Sequence, residues 1–295
     1  MGRDLAASIP EAAEQFRLAD EAAGFSLSTL CFEGPDDALR ETRNAQPALL
    51  AASLAALAAL RAAGVPEPCA VAGHSLGEYT ALVAADALDP ADAIRLVRLR
   101  GERMSDAAAE TAGSMAAVVG LDDAILLELC ARDPGIVVVA NFNSPGQAVI
   151  SGEAASVARV GEAAKAAGAK RVIPLPVSGA FHSPLMASAA KAMSAALAEA
   201  AFSMLRIPVY ANVTARLVDG PDALPGLLAD QIVGSVRWVE TIRHMAADGV
   251  ERFVEVGPGK VLSGLLRRIV AGAELHTVED RTSLEKTAEA LLAGE

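Results

Sequence analysis

Aromatic side chains are scarce in this 295-residue chain: seven Phe, two Tyr and one Trp make up 3% of it. A core cannot be built on rings here, and the 53% of hydrophobic residues must pack it with Ala, Leu and Val. Basic residues are also short, 25 Lys and Arg against 37 Asp and Glu, for a net charge of −12. That balance argues against a nucleic-acid binder, because neutralising phosphates needs a basic face. Cysteine is limited to Cys31, Cys69 and Cys130, without metal-ligand spacing, so three buried free thiols in a reducing compartment are expected. The opening "MGRDLAASIP" has no apolar run of the signal-peptide kind. The richest apolar stretch, residues 47–65, is mostly Ala and is broken by Ser53 and Arg61, which suits a buried helix better than a membrane span. A cytoplasmic protein is expected.

What is present is an alternation of helical and strand patterns. Apolar spacing and Ala/Leu content predict helices over 9–23 and 46–63. "CAVAG" (69–73), bounded by Pro68 and Gly73, reads as a buried parallel strand, followed by a helix over 76–87. Another helix, 90–108, opens on Pro90, a favoured first-turn residue. Between 113 and 180 the order is strand, helix, strand, strand, helix, strand, the ferredoxin-like unit. The α/β pattern then resumes with a helix over 184–201, a strand over 208–212, a helix over 238–248, a strand over 252–257 and a helix over 260–271. The predicted fold class is α/β: a core with a parallel sheet from residues 1–112 and 181–295, and an inserted ferredoxin-like subdomain over 113–180.

Within "AVAGHSLGEYTALVAA" (70–85), Ser75 stands between Gly73 and Gly77 on a strand-to-helix turn. Such a turn strains the serine and presents its hydroxyl, with small residues two positions away on each side making room. The following helix N-terminus aims backbone N–H groups at an oxyanion. The plain alternative is a tight turn that arises by chance in an Ala- and Gly-rich chain. A nucleophilic serine needs a base, and there are only four histidines. His74 adjoins the serine and is expected to pack or bond locally, while His244 and His276 sit in helical and alternating runs that suit surface or structural roles. His182, in "VSGAFHSPLM", follows a strand where α/β sheets gather reactive groups, and is the best base. A loop histidine bonded to backbone is the alternative there. Arg100 shares the apolar stripe of Ala93, Val97 and Met104, so its guanidinium points inward and needs an anionic partner. That partner is either a structural Glu or Asp, or a bound carboxylate held in two hydrogen bonds.

The stretches "QPALLAAS", "GHSLGEYTALVAADAL", "RLVRLRGERM", "NFNSPGQAVISG", "GAFHSPLM" and "VEVGPGKVLSGLLRR" run through most of the chain in order. They resemble the malonyl-CoA:acyl-carrier-protein transacylases. The resemblance implies an α/β-hydrolase-like core with a ferredoxin-like subdomain and transfer of a malonyl group from malonyl-CoA to an acyl carrier protein. By it, Ser75 would be the nucleophile, His182 its base and Arg100 the ligand of the malonyl carboxylate. Leu76 would give an oxyanion-hole N–H, and Gln46 and Asn141 would line the pocket. The histidine would be oriented by a backbone carbonyl near Arg237 rather than by an acid. No cofactor or metal is implied, and a monomer is expected. Family members open with a strand, a "PGQGSQ" loop and a "GM" pair, whereas this chain opens at "MG". The first strand and the glutamine that supplies the second oxyanion donor are therefore expected to be missing.

Rival readings are a serine esterase using the same turn, an acyltransferase of a polyketide pathway, and a scaffold without activity. Because acyl carrier proteins are acidic, docking would need a local basic patch, for which Lys170-Arg171 and Arg267-Arg268 are candidates.

Overall fold

The computed structural model describes residues 1–293. Five helices come first: α1 (Arg3–Ser8), α2 (Pro10–Ala23), α3 (Leu27–Glu33), α4 (Asp36–Arg40) and α5 (Thr42–Ala62). By length and composition α5 could cross a membrane, yet more than half of its apolar window is buried. Its Ala-rich faces let α2 and the later helix over residues 90–110 approach closely, which is how a chain poor in aromatics builds its main core. The two-residue strand β1 (Val71–Ala72) then leads to α6 (Gly77–Ala84) and α7 (Pro90–Glu110). Asp89 caps α7 by accepting from the N–H groups of Ala91 and Asp92, with Pro90 in the first turn.

Next come β2 (Gly113–Val119), α8 (Asp123–Arg132), β3 (Val137–Ser144), β4 (Gln147–Glu153), α9 (Ala154–Ala166) and β5 (Arg171–Pro174). They form one antiparallel sheet of order β3-β4-β2-β5, the ferredoxin-like arrangement, packed on α8 and α9 around a core of its own that includes Val118, Leu126, Ile150 and Val160. The chain returns through α10 (Ala187–Glu199), β6 (Val209–Tyr210), α11 (Leu224–Val233), α12 (Trp238–Ala247), β7 (Arg252–Val256), α13 (Val261–Ile269), β8 (Glu274–Val278) and α14 (Arg281–Leu292). The parallel strands are two pairs: β1 with β6, in register Val71 to Val209, and β7 with β8, in register Arg252 to Glu274. Both pairs lie on a shared apolar cluster that includes Ala72, Tyr210, Phe253 and Leu275.

Several expectations change in detail. The strand over 69–73 contracts to Val71–Ala72, and the following helix spans Gly77–Ala84. Cys69 therefore precedes the strand and is exposed, whereas Cys31 and Cys130 are buried; all three thiols are free. Helices α1, α3, α4, α11 and α14 and strand β8 lie outside the elements expected from the sequence.

Candidate active site

The turn from β1 to α6 places Ser75 at φ +52, left-handed backbone that a serine adopts only when its surroundings impose it. Close approach explains Gly73, since a Cβ there would lie 1.9 Å from the carbonyl carbon and oxygen of Gly77. A Cβ on Gly77 would meet nothing within 4 Å, so the need for a small residue is one-sided, contrary to the symmetric expectation. Asn212, just beyond β6, clamps the turn: its Oδ1 accepts from Ser75 N at 2.7 Å and its Nδ2 donates to Gly73 O at 2.6 Å. The Gln231 amide donates to Ser75 O at 2.9 Å. The N–H groups of Gly77 and Glu78 turn back to His74 O and Ser75 O, while among the described residues no acceptor takes the N–H of Leu76. That leaves one backbone donor free beside the serine, where an oxyanion would form.

His182 is buried at φ +56, and its Nε2 lies 2.7 Å from Ser75 Oγ. Its Nδ1 donates to the backbone oxygen of Gln231 at 2.8 Å, which leaves Nε2 as the acceptor facing the hydroxyl. The carbonyl that holds Nδ1 is that of Gln231, and the backbone of Gly234, which opens the GSVRW stretch before Arg237, also acts on the ring. Gln231 lies in the last turn of α11, where a carbonyl has no partner within the helix and carries the negative end of the helix dipole. Such an oxygen can hold an imidazole N–H without an acidic residue. Burial, then the positive charge of Arg100, pushes the His182 imidazole down to about 3, so it stays neutral and able to accept a proton at physiological pH.

Arg100 reaches inward from α7 as its stripe requires and is 1% exposed. Nη1 donates to Gln46 Oε1 at 2.5 Å; Nη2 donates to Gln231 Oε1 at 2.9 Å and to Ser75 Oγ at 3.1 Å. Among the described residues no carboxylate pairs with it directly, and its Nε has no partner. The guanidinium is therefore met directly only by neutral oxygens, with one donor to spare. Gln46 is buried beside it, and its Nε2 meets Met104 Sδ at 3.5 Å. Asn141 is buried on β3, but its side chain bonds to none of Ser75, His182 or Arg100.

Three residues of the site escaped sequence reading: Asn212, Gln231 and Glu78. Glu78 is 1% exposed, its Oε2 accepts from Gln231 Nε2 at 2.5 Å, and Asn212 N reaches both its oxygens at 3.4 Å. A charged residue inside the apolar helix after the serine was the available signal; Asn212 and Gln231 are lone amides in largely apolar stretches, with no motif around them. His74 packs and bonds away from the serine. Its Nε2 meets Asn143 Oδ1 at 2.8 Å, on the ferredoxin-like sheet, and its ring stands edge-on to Trp238. His244 meets the backbone oxygen of Ala215, and His276 pairs with Glu274; both are structural. Among the described residues no three His, Cys, Asp or Glu side chains are grouped to hold a metal.

The acyl transferase domain family matches residues 1–285. The malonyl CoA-acyl carrier protein transacylase of Escherichia coli K12 is 46% identical over 269 residues, covering 90% of this chain and 87% of its own. A Vibrio cholerae acyl carrier protein S-malonyltransferase superposes with a TM-score of 0.94 at 42% identity, over 97% of this chain and 94% of the other. A malonyl-transacylase solved in complex with a type II polyketide acyl-carrier protein superposes with a TM-score of 0.95 at 41% identity, over 98% and 94%. A serine on a strained turn, a histidine held by a helix carbonyl and a family match that takes in both lead to one conclusion: the chain belongs to the acyl transferase domain family.

Proposed function

We propose that this enzyme transfers a malonyl group from malonyl-CoA to the phosphopantetheine thiol of an acyl carrier protein, in two steps through an ester on Ser75. The position of Ser75 Oγ, 2.7 Å from His182 Nε2 and 3.1 Å from Arg100 Nη2, carries this reading. His182 takes the hydroxyl proton as Oγ attacks the thioester carbonyl, and the Leu76 N–H receives the oxyanion. As the tetrahedral centre collapses, the C–S bond breaks and His182 passes its proton to the departing CoA sulfur. Arg100 pairs with the free carboxylate of the malonyl ester, and Gln46 holds the guanidinium in place. The carrier thiol then gives its proton to His182 and attacks the ester, and Ser75 recovers the proton. Asn141 lines the acyl pocket, the chain acts in the cytoplasm as a monomer, and the chemistry needs no cofactor.

Two features favour this over ester hydrolysis. An uncharged acyl group gains nothing from a buried arginine, and among the described residues no acidic side chain bonds to His182. The carrier docks on the end of the ferredoxin-like sheet where basic residues meet. Gln147, Val119 and Arg171 pair across β4, β2 and β5 in one row, Lys170 precedes Arg171, and Arg268 reaches Gln147 Oε1 at 2.8 Å. Intact-mass measurement tests the reading: malonyl-CoA should add one malonyl group to the wild type and none to Ser75→Ala, and holo-carrier protein should remove it. An adduct that persists in Ser75→Ala would refute it.

A further inference from the structure

Glu78 has no part in the mechanism above, yet it lies at the centre of the site without solvent. Among the described residues its carboxyl meets no cation directly. Its one close partner is Gln231 Nε2 at 2.5 Å, and the same amide takes Arg100 Nη2 on its oxygen at 2.9 Å. Guanidinium, amide and carboxylate form a continuous line: a donor-only group on the oxygen side and an acceptor on the nitrogen side. Both ends are buried at 1% exposure, so neither charge is screened by water as a surface pair would be. The other groups near Glu78 are Tyr79 on its own helix, Asn212 after β6, and, beyond Arg100, His182 and His74; none carries a second negative charge near pH 7.

Resting on the reading that Arg100 binds the acyl carboxylate, we propose that Glu78 is the resident counter-charge of Arg100, relayed through the Gln231 amide, and that it weakens the grip of the site on carboxylate-bearing acyl groups. An empty pocket holding a bare buried cation would be costly to fold, and a loaded one would release its malonyl group slowly. With Glu78 in place the empty site is close to neutral, and the substrate carboxylate competes with an anion already attending the same guanidinium. Burial, opposed by the hydrogen bond from Gln231, pushes the Glu78 carboxyl up to about 7, so its charge changes near neutral pH.

The probe is monomethyl malonate, a malonyl-ester mimic whose single carboxyl stays ionised above pH 6, read by its protection of Ser75 against a neutral fluorophosphonate. Glu78→Gln keeps the shape and removes the charge. At pH 8 its half-protection concentration should fall about tenfold to a hundredfold below wild type, the size of a charge–charge interaction about 6–12 Å away at an effective dielectric of about 20. Wild type should show a similar fall between pH 8 and pH 6 as Glu78 takes up a proton, and Glu78→Gln should be flat. Tyr79 is raised to about 12, His182 lowered to about 3 and His74 lowered from its ordinary value, so they contribute little across that range. A merely structural role would weaken protection or leave it unchanged, and either result overturns the proposal. If Glu78→Gln does not fold, as shown by failure to label, a flat pH dependence in wild type overturns it alone. Failure of malonyl-CoA to load the wild type would instead refute the functional reading, and leaves the protection measurements as a separate test of Glu78.

Discussion

Replacing Gly73 and Gly77 by alanine, one at a time, should have opposite outcomes although both flank the serine symmetrically in sequence. At Gly73 a Cβ would stand 1.9 Å from the Gly77 carbonyl carbon and oxygen and 2.5 Å from Glu78 N. All three are backbone atoms at the start of α6, so no rotamer change relieves the overlap. An ordinary contact of about 3.4 Å requires the turn to open by about 1.5 Å, which would break the 2.6 Å bond from Asn212 Nδ2 to Gly73 O. Overpacking against immobile atoms together with a lost buried hydrogen bond costs about 3 kcal/mol or more. In a domain of this size that lowers the melting temperature by about 6–12 °C. At Gly77 a Cβ meets nothing within 4 Å and no left-handed backbone stands in its way, so Gly77→Ala should melt within about 2 °C of wild type. Calorimetry with fluorophosphonate labelling of Ser75 separates the cases: Gly73→Ala should lose both stability and labelling. If Gly73→Ala melts and labels as wild type does, the close approach of β1 to α6 is not what shapes the turn.

Other consequences follow from the same geometry. Arg100→Met should reduce kcat/KM for malonyl-CoA about a hundredfold or more, having removed a charged pair with the substrate, while activity with an uncharged acyl-CoA is retained or raised; an unchanged ratio of the two substrates refutes the carboxylate role. His182 should impose an acid-side stability loss. Its folded value of about 3 lies below the unfolded value of about 6.5, so the unfolded chain binds the extra proton and stability is lost as pH falls between the two. At pH 4.5 the loss amounts to about 2–3 kcal/mol relative to pH 7, absent in His182→Gln, and urea titrations of both proteins at the two pH values measure it. Reversing the charge at Arg267 and Arg268 should raise KM for holo-carrier protein severalfold, more at low salt, and leave malonyl loading of Ser75 unaltered; equal carrier kinetics place the docking surface elsewhere.

The elements legible in the sequence are those whose own residues carry a period. The stripe of Ala93, Val97, Arg100 and Met104 placed a guanidinium inside, and it is there at 1% exposure. The ferredoxin-like unit could be read because each strand and helix between 113 and 180 has an apolar face of its own and contacts mainly its neighbours. Helices α3 and α4, of seven and five residues, are too short to show a period of their own, and packing rather than local propensity holds them.

Local sequence, then, was enough for the serine on its turn, the histidine after a strand, the inward arginine and the α/β class, because spacing and side-chain chemistry are properties of short segments. The tertiary structure alone decided what those residues touch. It brought the last turn of α11 against His182, so that Gln231 supplies the orienting carbonyl, the oxygen for Arg100 and the amide for both Ser75 and Glu78. It also set Asn212 across the serine turn from 137 residues away. A helix-end carbonyl or a buried amide has no sequence signature; each gains its role only from what folding places within 3 Å of it.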